Sequence, residues 1–231
     1  MCSAPSPHAP LPGTVQTWVF DLDNTLYPAS SSLFPQIDQR MRRFIVDLLG
    51  LDDHAAHTLQ KRYYREYGTT LSGLMQVNGV DPDHFLSYVH DIDHDVLMPD
   101  PRLDAALARL PGRKLIFTNG SERHAEAVLA RLGIAHMFEG VFDIRAADYI
   151  PKPQPHGYRR LVERFDFDPT QALMVEDIHR NLLPAAGLGM RTLWIREEDH
   201  PDGPIPPQDV SDLSHVDYVT DDLATWLDAV S

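Results

Sequence analysis

Two aspartates separated by one residue close an apolar run in Trp18-Val19-Phe20-Asp21-Leu22-Asp23-Asn24-Thr25. Three other places show polar groups at or beside the end of an apolar run. These are Thr118-Asn119-Gly120 after Lys114 to Phe117, Lys152 between two prolines, and Glu176-Asp177 after Ala172 to Val175. Carboxylates are hard oxygen ligands, and Mg²⁺ takes a few of them together with waters and phosphate oxygens. Asp21 and Asp177 are therefore candidate direct ligands. Asp23 and Glu176 complete the candidate metal group, with Glu176 acting through water or from behind. Asp21 can also attack phosphorus to form an aspartyl-phosphate. Asp23 projects to the same side of an extended segment, where it can protonate a leaving alkoxide and then activate water. The Thr118 hydroxyl and the backbone N–H groups near Asn119 and Gly120 can hold phosphoryl oxygens. Lys152 can bind the same oxygens and stabilise charge in the transition state.

Residues so far apart in the chain meet only if the fold carries them to one edge. Thr17 to Phe20 is short and apolar with β-branched and aromatic residues, which predicts a buried strand. From Asp100 onward the pattern alternates. Helices are expected from Asp100 to Leu110, after Ser121 to Leu132, from Pro155 to Arg164 and from Ile178 to Ala186. Strands are expected at Lys114 to Phe117, Val141 to Ile144, Ala172 to Val175 and Thr192 to Ile195. Such alternation predicts an α/β, Rossmann-like core with a mainly parallel sheet between helices. Ligands bind such sheets in the crevice at the carboxyl ends of the strands. Between about Phe34 and Asp95 the pattern changes. Ile37, Met41, Phe44, Ile45, Leu48 and Leu49 recur at helical spacing before Gly50, and Leu59, Tyr63 and Tyr67 do so before Gly68. Asp81-Pro82 supplies an N-cap and an N1 proline for a helix through Tyr88. The expected organisation is a disordered tail at 1–13, a core of 14–28 and 96–231, and an inserted all-helical cap domain at 29–95. The proline-rich stretch 199–212 reads as a loop, and Tyr218-Val219 with a helix from Asp221 to Ala229 closes the core.

The 231 residues are 43% hydrophobic, enough for a substantial core, and carry a formal net charge of -14. That charge argues against a nucleic-acid partner. It leaves room for a small phosphorylated substrate, because a bound divalent cation inverts the local field. No apolar run approaches the roughly 18 residues of a membrane helix, and the N-terminus lacks the features of a secretory signal. The one cysteine, Cys2, fits a reducing compartment. A cytoplasmic location with no membrane partner is expected, and a homodimer is compatible with the composition.

Taken together, DLDNT at Asp21 to Thr25, FTNG at Phe117 to Gly120, PKP around Lys152 and VEDIHRN at Val175 to Asn181 resemble the four ordered motifs of the haloacid dehalogenase-like hydrolase superfamily. The resemblance implies the Mg²⁺-dependent aspartyl-phosphate chemistry above, and the second acid, Asp23, implies phosphatase rather than dehalogenase activity. DLDNTLYP, EYGTTLSGL at Glu66 to Leu74 and the stretch from Met98 to Ile134 resemble the pyrimidine 5′-nucleotidase branch. That narrower likeness implies hydrolysis of pyrimidine nucleoside 5′-monophosphates. Thr69 and Thr70 after Gly68 read either as a cap loop that faces the active site and selects the substrate or as a helix-to-helix turn, and the likeness favours the first. The alternatives are a phosphatase for another small metabolite such as a sugar phosphate, a phosphoaspartate signalling domain, and a non-catalytic interaction protein. His84, His90 and His94 lack the spacing and partners of a zinc site, and Lys61, Arg62 and Arg65 read as a solvated helix face. Asn181 sits four residues after Asp177, either toward the nucleophile loop or on the helix surface.

Overall fold

A hydrophobic alternation in the first strand sets the layers. The computed structural model describes residues 15–196 and 212–230. In β1 (Thr17–Phe20) every residue is buried. Trp18 and Phe20 face one apolar cluster and Val19 the other, as the two-residue period of a strand requires. Strands β2 (Arg113–Phe117), β3 (Gly140–Phe142), β4 (Ala172–Glu176), β5 (Arg191–Ile195) and β6 (Tyr218–Thr220) join it in the order β3-β2-β1-β4-β5-β6. Every pairing is parallel.

Helices α5 (Pro101–Arg109), α6 (Glu122–Leu132) and α9 (Leu223–Val230) cover the Trp18 and Phe20 face. Helices α7 (Pro155–Phe165) and α8 (His179–Gly187) cover the other, where Tyr158, Leu161 and Leu182 meet Val19 and Met174. Full burial of a side chain of this size contributes about 1.5–3 kcal/mol, so the sheet is held from both faces. After β1 the chain first adds strands on one side and then, at β4, on the other. The crevice therefore opens at the carboxyl ends of β1 and its neighbours.

The α/β sheet matches expectation, with ends shifted by a residue or two. β3 stops at Phe142 rather than Ile144. There Thr118 N–H donates to the Phe142 carbonyl and Ile144 N–H to the Gly120 carbonyl. The chain has already begun to turn beneath the Thr118 loop. The tail at 1–13 and the loop at 199–212, Asp212 apart, lie outside the described residues.

Between β1 and α5 stand α1 (Leu33–Leu49), α2 (Asp53–Tyr67), α3 (Thr70–Asn78) and α4 (Pro82–Val89). They share an apolar cluster of their own that includes Ile37, Phe44, Ile45, Tyr63, Leu74, Phe85 and Val89. Side-chain caps start three of these helices. Asp52 accepts from Ala55 N–H, Thr69 from Ser72 N–H, and Asp81 from the N–H groups of Asp83 and His84. Helix α3 is not apparent from periodicity. Its buried residues are the consecutive Thr70, Leu71, Ser72, Gly73 and Leu74, in which small residues surround two leucines and blur the amphipathic signal. Their smallness lets α3 approach α2 closely. A Cβ on Gly73 would lie 2.4 Å from Tyr63 Cγ.

This helical layer touches the core beside the crevice. Arg145 Nε and the Tyr149 hydroxyl, both after β3, donate to Asp83 Oδ1 at 2.7 and 2.9 Å. His90, at the end of α4, stacks on His124 of α6 with ring centroids 4.3 Å apart and planes 11° apart. Its Nδ1 lies 2.9 Å from Ser121 Oγ. Burial, then the neighbouring His124, pushes His90 down to about 3, against a smaller opposing pull from Asp23.

Two outcomes follow from this packing. Gly73→Ala should lower stability by about 1–3 kcal/mol through overpacking against Tyr63. An unchanged urea midpoint would mean that the two helices are not in such close contact. His90 stays neutral when folded but has a pKa near 6.5 when unfolded. Its contribution is therefore complete above about pH 6.5 and is lost as pH falls, by up to about 1.4 kcal/mol per pH unit. His90→Asn should flatten the drop in unfolding midpoint between about pH 7 and about pH 5. An equally steep drop in variant and parent would place the proton uptake elsewhere.

Candidate active site

The register of β1 brings the predicted groups together. Phe20 is level with Ile116 on one side and Val175 on the other, so the next residues, Asp21, Phe117 and Glu176, meet at the sheet edge. Asp21 N–H still donates to the Val175 carbonyl at 2.9 Å. Lys152, from the loop between β3 and α7, reaches all three. Its Nζ lies 2.6 Å from Asp21 Oδ1, 2.6 Å from Glu176 Oε2 and 3.0 Å from the Phe117 carbonyl. The Thr25 hydroxyl donates to the other Asp21 oxygen at 3.1 Å. Both oxygens of Asp21 are thus oriented by donors. Between Asp21 and Thr25 the backbone turns at Asn24, whose φ of 59 is left-handed, a conformation asparagine tolerates better than most residues.

Lys152, Asp21, Glu176 and Asp177 are all buried. Burial, then the charge of Glu176, pushes Asp21 up to about 7 despite Lys152. Burial likewise pushes Glu176 up to about 7, against the pull of Lys152. Burial opposes the charge on Lys152, but Asp21 and Glu176 outweigh it and hold its pKa above the ordinary value. One ammonium cannot balance three carboxylates. Oxygens of Asp21, Glu176 and Asp177 lie within 4.8 Å of one another. Fully ionised, this set with Lys152 leaves two negative charges, which a divalent cation would neutralise. The all-oxygen donor set fits Mg²⁺.

Asp23 stands apart from that group, contrary to its expected place among the metal acids. Its Oδ1 accepts from the Tyr27 hydroxyl and lies 2.8 Å from His124 Nε2. Burial pushes Asp23 up, but His124 and then Tyr27 more than offset this and hold it at about 2. The sequence offered no periodic signal for this pairing, since 101 residues separate the partners. The hint was a histidine one turn after a helix-capping Ser121, close to the Thr118 loop.

Thr118, Asn119 and Gly120 line the cleft with Asp21, Asp23 and Lys152. The Thr118 hydroxyl accepts from Gly120 N–H at 2.9 Å. Asn119 commits its side-chain oxygen to the Lys152 N–H at 2.9 Å, so that oxygen holds the Lys152 loop in place. Asn181 is buried and lines the cleft rather than lying on the helix surface. Thr69 and Thr70 line it too, as the start of α3. In the basic stretch, Lys61 pairs with Asp38 and Arg62 with Glu66. Tyr64 reaches the cleft, its ring under the Arg180 guanidinium at 5.0 Å. Among the described residues no helix is long and apolar enough to cross a membrane.

The chain is 30% identical over 193 residues to Phosphate metabolism protein 8 of Saccharomyces cerevisiae, covering 76% of this chain and 60% of that protein. It therefore spans less than two thirds of that relative. A glyceraldehyde 3-phosphate phosphatase of Methanopyrus kandleri is 27% identical over 234 residues, covering 94% of this chain and 97% of its own. The solved L-2-haloacid dehalogenase of Xanthobacter autotrophicus shares the fold, with a TM-score of 0.59 at 18% identity over 94% of this chain and 98% of its own. The family model of haloacid dehalogenase-like hydrolases matches residues 15–189, from the strand before Asp21 to the end of the helix after Asp177. The chain belongs to the haloacid dehalogenase-like hydrolases.

Proposed function

We propose that this chain is a Mg²⁺-dependent phosphomonoesterase that works through an aspartyl-phosphate on Asp21, with pyrimidine nucleoside 5′-monophosphates as its substrates. The observation that carries the reaction class is Asp21 itself. It is a buried carboxylate gripped on both oxygens by Lys152 and Thr25, at the floor of a cleft, with a second acid two residues on. The name of the Methanopyrus relative supports a phosphate ester as substrate.

In the first step an Asp21 oxygen attacks phosphorus, and the bond from phosphorus to the leaving oxygen breaks. Asp23 gives that oxygen a proton. In the second step water attacks phosphorus and passes a proton to Asp23, and the bond to Asp21 breaks to release phosphate. Held at about 2, Asp23 is a carboxylate in the free chain. The proton it gives in the first step therefore reaches it across its hydrogen bond to His124 Nε2, and the proton taken from water in the second step returns by the same route. His124 Nε2 is the partner placed to share a proton with it before the first step. Lys152 keeps the Asp21 carboxylate oriented, and the Asn119 N–H and the Thr118 hydroxyl, rather than the N–H groups of Thr118 and Gly120 that are already bonded, receive phosphoryl oxygens. Asp21, Glu176 and Asp177 would hold Mg²⁺, which supplies charge neutralisation for the phosphoryl group and the nucleophile. Residues 29–95 act as the cap that closes over the ester and excludes bulk water. Every group in this scheme comes from one chain, so a homodimer is not required for it.

The nucleotide assignment draws on the DLDNTLYP and EYGTTLSGL likeness and on the aromatic side chains of the helical layer that line the cleft. A sugar phosphate is the second reading, supported by the glyceraldehyde 3-phosphate phosphatase relative over nearly its whole length. Phosphate release from UMP, CMP, purine monophosphates and sugar phosphates, each with Mg²⁺, separates the two. UMP or CMP should lead, and sugar phosphates ahead of both would remove the nucleotide assignment. Asp21→Asn should abolish release while circular dichroism stays unchanged, and a variant that keeps full activity would remove the nucleophile. Asp23→Asn should lose most, about 10²–10⁴-fold, on alkyl esters with poor leaving groups. A uniform loss across leaving groups would deny its acid role.

A further inference from the structure

We infer that the cleft above Asp21 selects esters whose leaving group is uncharged and has an apolar face, and rejects esters that carry a second anionic group. The inference rests on the phosphomonoesterase assignment and narrows its substrate class. The cleft has a volume of about 170 Å³. Phe34 and Met41 of α1, Phe85, Leu86 and Val89 of α4, and Ile144 after β3 form an apolar wall, and Asn24, Tyr64, Ser72, Tyr149 and Asn181 add neutral polar groups to the lining.

The distribution of cations sharpens this. The chain has 20 lysines and arginines, and none falls in 1–14, 197–211 or at 231, so all lie within the described residues. Of these, Lys152 alone lines the cleft. Its ammonium is already shared between Asp21, Glu176 and the Phe117 carbonyl. Two arginines bond to the helical layer beside the cleft. Arg145 pairs with Asp83 at 2.7 Å and with Asp143 at 3.6 Å, and Arg180 stacks on Tyr64 and donates to its hydroxyl. His90, which also lines the cleft, is buried against His124 with its Nδ1 on Ser121.

A substrate's phosphoryl group would have the Asn119 N–H, the Thr118 hydroxyl and a cation at the three carboxylates. A second anion would have neither. It would lose its hydration against an apolar wall, which is costly for an unpaired charge, and would face Asp21, Asp23, Glu176 and Asp177. A flat, neutral leaving group meets no such penalty and can pack against the rings of Phe34 and Phe85.

The experiment compares two esters of matched shape, 4-carbamoylphenyl phosphate and 4-carboxyphenyl phosphate, with the full chain and Mg²⁺. The amide ester should have a kcat/KM at least about tenfold higher, since only the carboxylate loses hydration without a partner. Met41→Arg should shift that ratio toward the carboxylate ester, and the uncharged Met41→Gln should not. An equal or higher kcat/KM for the carboxylate ester in the parent chain would overturn the inference. Calorimetric binding of both esters to Asp21→Asn with Mg²⁺ keeps the test independent of turnover. Tighter binding of the amide ester supports the selection even if the parent hydrolyses neither ester, a result that would strike only the phosphomonoesterase assignment. Tighter binding of the carboxylate ester, or binding of neither, overturns the selection itself.

Discussion

One buried ammonium organises the catalytic edge of this molecule. Lys152 Nζ ties the ends of three adjacent strands through Asp21, Phe117 and Glu176. An ion group with so little access to water gains nothing from solvent screening and pays heavily in lost hydration. It persists because each contact is short and the sheet register has already placed the partners level with one another. Its value is positional. The Asp21 carboxylate has one oxygen held by Lys152 and the other by Thr25, so its orientation is set before any ligand arrives.

The same group leaves the edge short of positive charge. Asp21 and Glu176 are each pushed up to about 7, by burial above all. This is the behaviour of buried carboxylates that must share one ammonium. Asp23 behaves in the opposite way, held at about 2 because His124 and Tyr27 outweigh its burial. Two acids separated by one residue therefore differ by their neighbours rather than by their chemistry. In the proposed reaction the first is the nucleophile, and the second, a carboxylate at rest, depends on His124 for the proton it gives. The apolar helical layer above them sharpens both effects by keeping the local dielectric low.

Contacts between that layer and the core lie around the cleft. Asp83 receives Arg145 and Tyr149, Tyr64 receives Arg180, and His90 lies flat on His124. Because His124 is also bonded to Asp23, the position of the layer and the orientation of the second acid are mechanically linked. A displacement of α4 would disturb the ring stack that backs the imidazole on Asp23.

The alternation of short apolar runs with capped helices was enough to identify a parallel α/β sheet, because strand burial and helix capping are local in sequence. The type and order of Asp21, Thr118, Lys152 and Asp177 were legible for the same reason, as polar residues at or beside the ends of apolar runs. Helix α3 was not, since its buried run sets only Leu71 and Leu74 among threonine, serine and glycine, too few apolar residues for a legible amphipathic stripe. The partners of Asp23 were also hidden. His124 lies 101 residues away, and hydrogen bonding across that span depends on how α6 docks. The same holds for the lack of a spare cation in the cleft. The sequence states how many lysines and arginines there are, but packing alone decides that one of them faces the cleft and that its charge is already shared.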